Sequence, residues 1–173
     1  MIGPTRCIVA IALAGACAGH EAADKNARQE QSDVTDELRQ VSAHPGLEIV
    51  IRTGTQHWRA GEITLTVRGN GSAEVAQHQA QASTSFKDTL DTGAVDGFGR
   101  ELAQHRFTAQ RASKLPREPG DTPVRLALHR AGTVAFEVQI WDGDRDGDAD
   151  LDAILVASQR LVHRITKGAL GRP

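Results

Sequence analysis

Glu62-Ile63-Thr64-Leu65-Thr66-Val67-Arg68 leads through Gly69-Asn70-Gly71-Ser72 into Ala73-Glu74-Val75-Ala76-Gln77-His78. Ile63, Leu65 and Val67 alternate with polar residues, the period of two that sends every second side chain to one face of a strand. The Asn-Gly pair suits a tight hairpin turn with positive φ at its centre, after which the chain returns antiparallel. Upstream, Leu47-Glu48-Ile49-Val50-Ile51-Arg52 is a further half-buried strand with Leu47, Ile49 and Ile51 on one side. Three strands with one polar face need an apolar cover on the other.

That cover is expected downstream. From about Thr92 to His105, Val95, Phe98, Leu102 and His105 line one side of a helix that Asp91 or Thr92 could cap. Gly97 and Gly99 each weaken it by about 1 kcal/mol relative to Ala, so it depends on the sheet it covers. After a loop rich in Pro and charge (114–121), Arg125–His129 and Thr133–Trp141 form a second hairpin turning at Ala131-Gly132, with Val134, Phe136, Val138 and Ile140 inward. Leu151, Ile154, Leu155, Leu161, Val162 and Ile165 give a closing amphipathic helix that ends at Gly168. The order β-β-β-α-β-β-α predicts an α+β fold: an antiparallel sheet of about five strands with two helices on one face.

The amino terminus reads as an export signal. Arg6 precedes the uncharged run Cys7–Ala14, which is too short to span a bilayer. Leu13-Ala14-Gly15-Ala16-Cys17 resembles a bacterial lipobox, in which Cys17 is acylated and becomes the new amino terminus. Ordinary cleavage at Ala14-Gly15-Ala16 or Ala16-Cys17-Ala18 is the competing chemistry, leaving a soluble exported protein. Both cysteines of the chain, Cys7 and Cys17, lie in this segment, so the remainder has no disulfide, thiol nucleophile or Cys-based metal site. Residues 18–46 are polar and read as a flexible tether, although Val34, Leu38 and Val41 share one face of a potential short helix. His44-Pro45-Gly46 marks the start of a single domain over 47–173.

The order of elements and the stretch Gly61–Gly71 resemble small exported bacterial α+β domains, including emfourin-like domains associated with secreted metalloproteases. The resemblance covers roughly Leu47 to Ile165 and implies a compact domain of uncharacterised function that could modulate a secreted protease. The Gly-Gly-Phe type turn of that group is missing from Arg52–Trp58, and no functional residue carries over to this chain.

One motif concentrates chemistry. Asp142-Gly143-Asp144-Arg145-Asp146-Gly147-Asp148-Ala149-Asp150 has the Asp-x-Asp-x-Asp-Gly spacing of calcium loops. Asp142, Asp144 and Asp146 would ligate directly, Asp148 through its carbonyl, and Asp150 directly or through water. The twelfth position is Ala153 where an EF-hand needs Glu, so any affinity would be weak, roughly 10⁻⁴ to 10⁻³ M. The alternative is a solvated strand-to-helix connection in which Asp148 or Asp150 caps the last helix.

Other chemistries find less support. A formal charge of -2, or -3 once Arg6 is removed, with no Lys/Arg block, argues against nucleic acid. Seven histidines are scattered, with no His pair at metal spacing, and His129 and His163 suit surface as well as site. Trp58, beside His57, reads as a residue closing the core, and Trp141 as a contact for a partner. The expectation is an exported lipoprotein of the bacterial outer membrane or periplasm, anchored to the membrane by lipid, with a non-enzymatic binding or envelope-structural role and an unidentified protein partner. A calcium-binding interaction module, a protease modulator and a hydrolase using Asp or His residues are the alternatives.

Overall fold

The computed structural model describes residues 29, 32–57, 59–114 and 116–170. Strands β1 (Leu47–Thr53), β2 (Glu62–Arg68), β3 (Ser72–Gln79), β4 (Ala82–Thr89), β5 (Pro123–Arg130) and β6 (Thr133–Trp141) form one antiparallel sheet in the order β4-β3-β2-β1-β5-β6. The helices are α1, whose described residues include 32–39, α2 (Thr92–Gln104) and α3 (Ala149–Ile165). All three pack on one face of the sheet. Leu38, Val95, Leu102, Leu151 and Ile154 share a single core with Ile49, Ile51, Leu65, Val67, Val75, Leu126 and Leu128. The other face carries cross-strand ion pairs, among them Arg68–Glu48 at 2.6 Å and His129–Glu48 at 3.2 Å.

The α+β class and the antiparallel sheet are as the periodicity predicts, but six strands replace about five and three helices replace two. The additional strand, β4, reads Ala-Ser-Thr-Ser-Phe-Lys-Asp-Thr, and only Phe86 in it is half-buried. It is held by its ladder to β3, from Ser72↔Thr89 to Gln79↔Ala82, and not by an apolar face, so no alternation announces it. Its polar side chains and Lys87 suit a sheet edge.

Two turns depart from expectation. Between β2 and β3, Gly71 takes φ 89° while Asn70 stays outside the positive region, its Oδ1 accepting from the Ser72 N–H at 3.0 Å. In β6 the register shifts opposite Leu128 and His129, pairing Phe136 with Leu128 but Val134 with His129. This β-bulge takes up Ala135 and turns Val134 to the open face, 53% exposed, so the expected inward position of Val134 is overturned.

The largest correction concerns the expected tether over 18–46. Val34, Leu38 and Val41 are 2%, 0% and 0% exposed, so residues 32–43 belong to the domain. Their spacing places three apolar side chains on one helical face, and burying that face outweighs the polar composition around it. Ion pairing of Arg130 with Glu37 at 2.6 Å and a contact of 2.8 Å between the Thr35 and Thr108 hydroxyls tie the helix to β5 and to the turn after α2. Pro45-Gly46 is an internal connection, with the Gly46 carbonyl accepting from Ala131 N–H at 2.8 Å.

Asp96 on α2 receives the end of this segment, its carboxylate accepting from Ser42 N–H at 2.8 Å and Ser42 Oγ at 2.9 Å. The Ser42 amide, and to a lesser degree its hydroxyl and Arg100, hold the Asp96 carboxyl below its ordinary value against the opposing effect of burial. A depressed carboxylate contributes stability that is present above its unfolded value of about 3.9 and is lost as pH falls through the folded value. Denaturant midpoints of the wild type and Asp96→Asn should therefore differ at neutral pH and converge on acidification. A difference that persists unchanged below the folded value would contradict this.

Candidate binding cleft at the acidic loop

The acidic loop leaves β6 at Trp141 and enters α3 at Ala149, and its first half, Asp142–Asp146, winds as a 3-10 turn. With three residues per turn, positions i, i+2 and i+4 point about 120° apart. The same spacing that converges in a calcium loop therefore splays Asp142, Asp144 and Asp146 here.

Most of the carboxylates have protein partners of their own. Asp142 accepts from Thr122 N–H at 2.6 Å and from the Thr122 hydroxyl. Asp144 accepts from Ser113 Oγ at 2.5 Å, and that oxygen accepts from Trp141 N–H at 2.7 Å. Asp148 caps α3, accepting from Asp150 N–H at 2.9 Å and Leu151 N–H at 3.0 Å. Asp150 lies 3.3 Å from His105 Nδ1 and 3.9 Å from Arg106 Nη1, and Asp152 accepts from Arg145 Nε at 2.8 Å. Asp146 is exposed. Among the described residues, no three His, Asp or Glu side chains are placed to hold a metal ion. The helix-capping role expected of Asp148 or Asp150 falls to Asp148.

Opposite this loop runs the segment that follows α2. Arg106 adopts φ 54°, a left-handed conformation that turns the chain out of the helix into a 3-10 turn, Phe107–Ala109. The two segments enclose a cleft of about 660 Å³. Its lining includes Arg106, Gln110, Arg111 and Lys114 on one side and Asp144, Asp148 and Asp150 on the other. Trp141 flanks it with the Arg117 guanidinium 5.8 Å from its ring centre. The sequence marked the acidic wall and Trp141 but not the basic wall, whose residues sit in a stretch without periodicity.

A second cavity of about 560 Å³ lies between β1, β2 and α3, lined by Ile51, Ile63, Leu65, Leu155 and Val162 with Arg145 beside them. Trp58, expected to close the core, lies outside the described residues, as do the signal segment and Cys17. His129 pairs with Glu48 on the open face, and His163 lies in the last turn of α3 with its Nδ1 buried and without a hydrogen-bond partner among the described residues. No known protein-family model matches the chain, and a search of curated proteins gave no match.

Proposed function

We propose that the chain is an exported lipoprotein, anchored through acylated Cys17, whose α+β domain is a non-enzymatic binding module of the bacterial envelope. The cleft is the observation that carries the binding reading. It places opposite charges on two facing segments, while the acidic loop carboxylates that hold its shape are engaged by Thr122, Ser113, the α3 amides, His105 and Arg145. Carboxylates committed to structural donors suit a preformed recognition surface better than proton transfer.

The anchor is supported by the lipobox-like run before Cys17 and by the domain's early start. Residues 18–28 separate Cys17 from residue 29, the first described helical residue, a span of at most about 45 Å. Several acyl chains on one residue would hold the protein firmly at a membrane. Replacing Cys17 with Ser should move the protein from the membrane to the soluble fraction. Unchanged fractionation, or a mature amino terminus mapped downstream of Cys17, would refute the anchor.

A further inference from the structure

We infer that this cleft binds a small zwitterion, a ligand carrying an ammonium and a carboxylate, such as a free amino acid or a short peptide. The inference rests on the binding reading above and is independent of Cys17.

The cleft's two walls run antiparallel and are joined at both ends. Ser113 Oγ donates to Asp144 at 2.5 Å at one end, and Arg106 lies 3.9 Å from Asp150 at the other. Gln110 lies between these two joints in sequence and lines the cleft. It is only 7% exposed, yet its side-chain amide makes no hydrogen bond to another described residue. Lining the cleft, this amide offers one donor group and one acceptor to a bound group that both donates and accepts.

The charges on the two walls select the rest of the ligand. Arg111 donates to the Gln110 carbonyl at 3.4 Å, and neither it nor Lys114 is paired with a carboxylate among the described residues. These two cations are available to a carboxylate. Across the cleft, Asp144, Asp148 and Asp150 each accept hydrogen bonds but keep lone pairs, since a carboxylate offers about four acceptor sites. They are available to an ammonium. A simple anion would meet the acidic wall and a simple cation the basic one, whereas a dipolar ligand satisfies both.

Titration of the full chain with glycylglycine, followed through the Gln110 side-chain amide by NMR, tests this. Glycylglycine should shift that signal saturably, and acetate and methylammonium, which each carry one of the two charges, should bind at least tenfold more weakly. The double variant Arg111→Gln, Lys114→Gln removes two unpaired surface cations and should weaken glycylglycine at least tenfold while leaving the melting temperature unchanged. Three outcomes would overturn the inference: no saturable shift, acetate or methylammonium binding as well as the dipeptide, or calcium chloride producing the same shift by recruiting the aspartates. Because none of these readouts involves membrane fractionation, failure here would leave the Cys17 result standing on its own.

Discussion

Alanine at Gly99 should destabilise the protein by about 3 kcal/mol, whereas alanine at Gly97, two residues earlier in α2, should stabilise it by about 1 kcal/mol. A Cβ on Gly99 would overlap the Leu38 carbonyl oxygen and Val41 Cγ2, neither of which can retreat without moving α1. At Gly97 the nearest atom to such a Cβ is Arg100 Nη2 at 3.9 Å, so only the helix-forming advantage of alanine remains. Undocking α1 would expose Val34, Leu38 and Val41, each worth roughly 1.5–3 kcal/mol when fully buried. Urea midpoints of the two variants should move in opposite directions, and residues 32–44 of Gly99→Ala should become sensitive to protease. Equal midpoints would refute the packing described for α1.

Phe107→Ala should cost about 3–5 kcal/mol. Phe107 is 0% exposed and its ring lies 5.6 Å from that of Phe136 at 57°, a tilted pairing that joins the turn after α2 to edge strand β6. The Phe107 carbonyl also accepts from Gln110 N–H at 3.4 Å, which makes this residue a support of the cleft. Hydrogen exchange should therefore accelerate in β6 and in 107–114 before it does in β1 and β2. A uniform acceleration across the sheet would show that the ring stabilises the fold without holding the cleft wall.

The elements legible in the sequence are those whose burial is periodic. β1, β2, β3, α2 and α3 each bury one face, and their apolar residues recur at two or at three to four. β4 was hidden because backbone pairing and not side-chain burial holds it. α1 was legible only as the alternative to a tether, because three apolar residues among charged neighbours are decisive only when a surface with Gly99 waits to receive them. Val134 was misplaced by a bulge that local alternation does not encode. At the site, the aspartate spacing was visible, but the direction of each carboxylate depends on the 3-10 winding and on donors such as Thr122 and Ser113 far away in the chain. Gln110 carries no sequence signal, since its place in the cleft lining follows from the packing around it.

The way α1 sits has a mechanical side. Successive contacts of Ser42 with Asp96, the Leu38–Val41 stretch with Gly99, and Thr35 with Thr108 mean that this segment runs antiparallel to α2 and brings Thr35 against the turn after α2. Any tension transmitted through the amino-terminal segment therefore reaches the docked part of α1 at Val34 and Thr35 and peels its contacts one after another. None of that load has to cross the strand ladders, which would resist shear collectively. Pulling from the amino terminus should unfasten α1 at low force while the sheet stays whole, making this helix a mechanical fuse beside the cleft.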